Sequence, residues 1–224
     1  MGEFFEKLLD LIFPRICVGC KKYGTWLCDE CLNQITPIVQ GVCLFCNRQT
    51  KGSRFCKKCR KKGYLSGVFC GYYYEPPLSE LIKGYKYDSL SVGPLLSAFF
   101  IYSLKKVKMP QEFILCPIPL HYKKERSRGF NQALYFSNIL ADYFNWSMVQ
   151  LLKRTKETKP QVSLDPRQRI KNVSDAFKVI GDVSSKTIVL VDDVVTTGAT
   201  INEAARVLKN AGARKVMALT LAKG

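Results

Sequence analysis

Residues 187–219 read TIVLVDDVVTTGATINEAARVLKNAGARKVMAL. An apolar, β-branched run from Thr187 gives way to polar and glycine residues, then to a helical pattern closing at Gly212, then to a second apolar run, which predicts a βαβ unit. The loop Thr196-Thr197-Gly198-Ala199-Thr200 joins the carboxyl end of the strand to the amino end of the helix. Free backbone N–H groups and the helix dipole favour a phosphate there; Gly198 lets the backbone approach it, and the threonine hydroxyls add donors. Asp192 and Asp193 are placed at the strand tip, as acceptor-only carboxylates suited to ribose hydroxyls and to a hydrated Mg²⁺. Helix capping by Asp and Thr accounts for a lone TTGAT, but poorly for one preceded by an acidic pair. A receiver domain also sets paired aspartates after an apolar strand, yet only 31 residues follow Asp193, too few to complete one.

The whole chain has 224 residues, enough for one large core and an appendage. With 47% hydrophobic and 24% charged residues it is an ordinary globular chain. Its 35 Lys and Arg against 18 Asp and Glu give +17, which implies a polyanionic partner. MGEFFEK carries Glu3 and Glu6 where a secretory signal needs positive charge, and Asp10 interrupts the apolar stretch, so the expected location is the cytoplasm. The longest uncharged run, residues 89–104, contains Gly93-Pro94 and falls short of the ~20 residues of a membrane span; it reads as a buried helix.

Eight of the ten cysteines form four Cys-x-x-Cys pairs, at Cys17 and Cys20, Cys28 and Cys31, Cys43 and Cys46, and Cys56 and Cys59. Two such knuckles close a tetrahedral sulfur shell around zinc, so four make two structural sites; the short spacers within each half favour sequential pairing over an interleaved cross-brace. Apolar residues are sparse over residues 14–63, so metal binding supplies much of that segment's folding free energy. Eight thiolates and two Zn²⁺ lower the net charge to about +13. Arg54, Lys57, Lys58, Arg60, Lys61 and Lys62 crowd the last knuckle, either to offset a negative site or to contact phosphates. Tyr23, Trp26, Phe45, Phe55 and Tyr64 suit base stacking or small ribbon cores equally.

Between these ends, residues 69–74 read as an edge strand, 77–87 and 91–106 as helices on the sheet, 113–118 as a buried strand and 129–144 as an amphipathic helix. A basic loop with His121, Lys123, Lys124, Arg126 and Arg128 separates the last two; His121, the single histidine, is taken as exposed and without a catalytic role. Over residues 153–171 seven cations meet two acids, with Pro160 and Pro166 breaking regular structure, as in a mobile loop that reaches an anion. Hydrolase, metalloprotease and Walker signatures are absent from the sequence.

VLVDDVVTTGAT resembles the 5-phosphoribosyl 1-pyrophosphate (PRPP) motif of type I phosphoribosyltransferases. Combined with the Cys-x-x-Cys run, CPIPLHYKKERSRGFNQA at 116–133 and RTKETKPQVSLDPRQRIKNVSDAF at 154–177, it is similar to the ComF (ComFC) competence family over nearly the whole chain. The resemblance implies ribose contacts from Asp192 and Asp193 and 5′-phosphate contacts from Thr196, Thr197, Gly198, Ala199 and Thr200. It implies that the basic loop lies near the pyrophosphate and that residues 153–171 form a lid. The expected fold is an α/β, type I phosphoribosyltransferase-like parallel sheet flanked by helices over residues 67–224, with an amino-terminal helix (3–13) and double zinc ribbon over 1–66. The implied function is DNA uptake, with handling of single-stranded DNA, a PRPP site with Mg²⁺, and the DNA-uptake helicase ComFA as partner. The alternative is an active phosphoribosyltransferase with an unidentified acceptor.

Overall fold

The computed structural model describes residues 14–38, 43, 46, 48, 56–60, 63–87, 90–105, 107–157 and 173–224. The expected helix at 3–13, the cations Arg54, Lys61 and Lys62, the rings Phe45 and Phe55, and residues 158–172 of the expected lid lie outside them.

Two one-turn helices, α1 (Asp29–Leu32) and α2 (Lys57–Arg60), carry Cys31 and Cys59. Strand β1 (Gly67–Tyr73) leads into α3 (Leu78–Tyr87) and, past a 3₁₀ turn at Leu90–Val92, into α4 (Gly93–Leu104). Then come β2 (Ile114–Pro117), α5 (Tyr122–Arg128), α6 (Gln132–Phe144), β3 (Leu152–Arg154) and β4 (Phe177–Val179). The βαβ unit closes the chain as β5 (Thr187–Val195), α7 (Ala199–Asn210) and β6 (Lys215–Lys223).

The four long strands form one parallel sheet in the order β1-β6-β5-β2, while β3 and β4 make a separate antiparallel ribbon. Parallel strands need both faces covered, and the interior strands accordingly read as near-continuous apolar runs. Ile188 and Leu190 of β5 pack in one core cluster with Ile201, Ala204 and Leu208 of α7. Val189 and Val191 pack in the other, with Leu81 and Ile82 of α3, Phe100 of α4 and Phe136 of α6. Past the acid pair this alternation reverses, Val194 joining the second cluster and Val195 the first.

The edge strand expected near residue 69 is β1, and its outer edge is covered by the amino-terminal segment. Tyr73 N–H donates to the Thr36 carbonyl (3.0 Å) and Ile38 N–H to the Gly71 carbonyl (2.9 Å), with an antiparallel bridge from Pro37 to Tyr72. Covering the edge removes a template for unwanted strand pairing. Gly71 also admits α4: a Cβ there would meet Ser103 Oγ at 2.8 Å and the Leu221 carbonyl at 3.0 Å.

Four expectations need correction. β5 runs on to Val195, pairing Asp192 with Thr220, so the acid pair lies inside the strand and not at its tip. The loop carrying Lys123, Lys124, Arg126 and Arg128 is the helix α5, ended by Gly129 in the left-handed conformation (φ 77°). His121 is buried, where it precedes α5 with the Tyr122 ring tilted against it at 4.5 Å between centroids. The apolar run 89–104 gives a helix buried along one side only, with Tyr102 71% exposed.

Candidate functional site

The turn from β5 to α7 begins with Gly198, whose φ of 74° is the left-handed conformation that glycine adopts without strain. Gly198 caps α7, so the first N–H groups of the helix open toward the loop; Ala199 N–H reaches Thr197 Oγ1 at 3.4 Å. One small cleft is lined by Asp192, Thr196, Gly198, Ala199 and Thr200 together with Val194, Val195 and Ile201. Asp193 is not part of that lining.

The two aspartates have different partners. Asp192 Oδ1 accepts a hydrogen bond from Asp193 N–H at 3.0 Å. Burial, then the charge of Asp193, pushes the Asp192 carboxyl up to about 8. Asp193 Oδ1 accepts from Val194 N–H at 2.7 Å, and its Oδ2 is paired with Lys86 Nζ at 2.5 Å. Burial on its own would lower the Lys86 ammonium, but facing Asp193 outweighs it and holds the group above its ordinary value. Neither Lys86 nor its role was read from the sequence, yet a signal was there. Lys86 continues the i, i+4 stripe of Leu78 and Ile82, so a charge falls where that helix face is otherwise apolar.

Three cations, Arg154, Lys124 and Arg128, form a cluster, of which Arg154 feels the Asp192 charge. Burial lowers Arg154, and Asp192 opposes that shift; the guanidinium lies 5.4 Å from the centroid of the Phe177 ring. Burial, then Arg154 and Arg128, lowers Lys124. Among the expected basic residues, therefore, Lys124 and Arg128 lie within electrostatic reach of one another, and Lys124 within that of Arg154. Lys123 instead pairs with Glu157 at the surface (2.7 Å), and Arg126 is exposed on α5. Arg154, at the foot of the expected lid, belongs to a strand and not to a loop. Residues past the 158–172 stretch of the expected lid return to α7 through Glu203, which accepts from Asp175 N–H (2.7 Å) and is held by Arg206 (2.8 Å). On the other side of residues 158–172, Thr155 N–H donates to the Ala176 carbonyl (2.9 Å).

The cysteines form two groups, Cys17/Cys20/Cys28/Cys31 and Cys43/Cys46/Cys56/Cys59, as sequential pairing requires. Within each group the sulfurs all lie within 4.8 Å of one another, with 3.8 Å from Cys17 to Cys28 and 3.6 Å from Cys46 to Cys56. A tetrahedral site with Zn–S of about 2.3 Å has sulfur edges of about 3.8 Å, so both groups fit zinc. Burial, then the neighbouring thiols, pushes Cys31 and Cys59 up to about 12, so four thiolates coexist only around a dication. Lys57, Lys58 and Arg60 lie on α2, the turn that carries Cys59, and Tyr64 N–H beyond it donates to Asn202 Oδ1 of α7 (3.0 Å).

The acid pair does not fit Mg²⁺ in the same way. Both Asp193 oxygens and one Asp192 oxygen are engaged, and an ammonium sits where a directly bound cation would.

Residues 131–224 match the family model of the phosphoribosyl transferase domain, and residues 8–60 that of the double zinc ribbon domain. Fold and site thus define a phosphoribosyltransferase-type domain bearing a structural zinc module. Competence protein F of Haemophilus influenzae is 26% identical over 222 residues, covering 88% of this chain and 96% of the relative. Competence protein ComFC of Bacillus subtilis is 26% identical over 206 residues, covering 87% and 83%. DNA utilization protein YhgH of Salmonella typhi is 31% identical over 157 residues, covering 67% and 69%. The chain belongs to this ComF (ComFC) family of competence and DNA-utilization proteins. No helix among the described residues is long and apolar enough to cross a membrane.

Proposed function

We propose that this protein handles single-stranded DNA in the cytoplasm during DNA uptake, alongside the helicase ComFA, and binds PRPP through residues 192–200. The observation that carries the reading is the cleft uniting Asp192 with Thr196, Gly198, Ala199 and Thr200, with Arg154 in electrostatic reach of Asp192 and Lys124 in reach of Arg154. A helix amino end takes the 5′-phosphate, Asp192 accepts from ribose hydroxyls, and the cations face the pyrophosphate. Mg²⁺ enters as a counter-ion of that pyrophosphate. DNA follows the same cations outward along Lys123, Arg126 and Lys153, so the two anions compete. A second reading, transfer of phosphoribose to an acceptor, draws support from Arg154, whose burial within reach of the Asp192 charge suits a departing pyrophosphate.

Fluorescence anisotropy of a labelled oligonucleotide tests this. Affinity should fall with salt at a log–log slope of about −0.7 per phosphate contacted, and excess PRPP should weaken it. A salt-independent signal, or one untouched by PRPP, contradicts the shared surface.

A further inference from the structure

The Lys86–Asp193 pair stands apart from the other ion pairs among the described residues. Its side chains are 19% and 11% exposed, whereas every other pair has at least one partner 30% exposed or more. Lys86 is held in place by its helix: Leu78, Leu81, Ile82 and Tyr85 of α3 are all fully buried, and the Tyr85 ring packs on Phe130, Tyr135 and Phe136. Burying such a pair is a poor way to gain stability, since desolvation offsets the attraction. Its place beside the ribose-phosphate cleft points to a different use.

We propose that Lys86 is a resident counter-cation of the acid pair, so that this site takes a ribose 5-phosphate group through Asp192 and the 196–200 loop without a divalent cation, Asp193 being a positioning residue. The inference rests on the reading of residues 192–200 as a ribose-phosphate site, and it names how that site is balanced. Asp193 gives one oxygen to Val194 N–H and the other to Lys86, and it is outside the cleft lining. Its own N–H orients Asp192. A dication at Asp193 would have to displace an ammonium anchored by a buried helix. Lys86 pairs with Asp193 and its charge also reaches Asp192, so one protein cation serves both carboxylates.

Ribose 5-phosphate is the suitable probe, because it lacks the pyrophosphate that binds Mg²⁺ by itself. Calorimetric titration of the zinc-loaded chain should give the same affinity, within about twofold, in Mg²⁺-free buffer and in excess MgCl₂. Lys86→Gln should weaken binding about tenfold or more in Mg²⁺-free buffer, and Mg²⁺ should restore it. Because Lys86→Gln leaves a buried carboxylate unpaired and threatens folding, Lys86→Gln/Asp193→Asn is the second arm. That double variant should lose the Mg²⁺ dependence of the single variant, its affinity changing by less than about twofold on adding Mg²⁺. A gain of tenfold or more on adding Mg²⁺ to wild type, or a Mg²⁺ dependence that persists in the double variant, overturns the role of Lys86. Failure of wild type to bind ribose 5-phosphate under either condition overturns the ribose-phosphate reading itself.

Discussion

Asp192 sits in a β-strand among apolar residues, and burial together with the Asp193 charge pushes its pKa to about 8. The folded chain therefore holds this proton more tightly than the unfolded chain does. Its contribution to stability is present below the ordinary carboxylate range and is lost as pH rises toward 8. Asp192→Asn should accordingly stabilise the unliganded protein, with an advantage that grows by about 1 kcal/mol or more between pH 6 and pH 8, each unit of titration being worth about 1.4 kcal/mol. Thermal unfolding of both proteins across that range checks this; a constant difference contradicts it. A residue that costs stability in the free protein is expected where a ligand is bound. Arg154 and Lys86 were not legible as its neighbours, because their contacts join strands and helices far apart in the chain. His121 was misread for a similar reason: nothing local shows that α5 and Tyr122 will cover it.

Elements differ in how openly the sequence declares them. The βαβ unit was legible because its signals are local: an apolar run, a glycine needing positive φ and a helical period. The zinc ribbon was legible from spacing alone. The way the ribbon continues the sheet was not, since residues 36–38 contain no strand pattern and pair with β1 only through two backbone hydrogen bonds and a bridge. Those bonds couple the metals to the sheet. Metal analysis of protein purified without chelator should find two zinc ions per chain, and their removal should expose the Tyr73 amide, which donates to Thr36, to rapid hydrogen exchange. The amides of β5 and β6, in the interior of the sheet, should stay protected. A single zinc, or a Tyr73 amide indifferent to chelation, would refute this coupling.

The molecule as a whole combines a parallel sheet, whose carboxyl end holds the cleft, with two cysteine clusters that brace its edge strand and reach α7 through Tyr64. The strong positive charge, visible from composition, is partly concentrated by the fold where Lys124, Arg128 and Arg154 approach one another, Arg154 within reach of the Asp192 charge. The central claim is that residues 192–200 bind PRPP, and titration calorimetry of wild type and Asp192→Asn with PRPP tests it most directly. Titrated at about pH 9, where Asp192 is ionised, the variant loses a charged acceptor worth about 1.5 to 3 kcal/mol, so the account predicts saturable binding by wild type and affinity about tenfold or more weaker in Asp192→Asn. Equal affinities, or no heat from wild type, would contradict it.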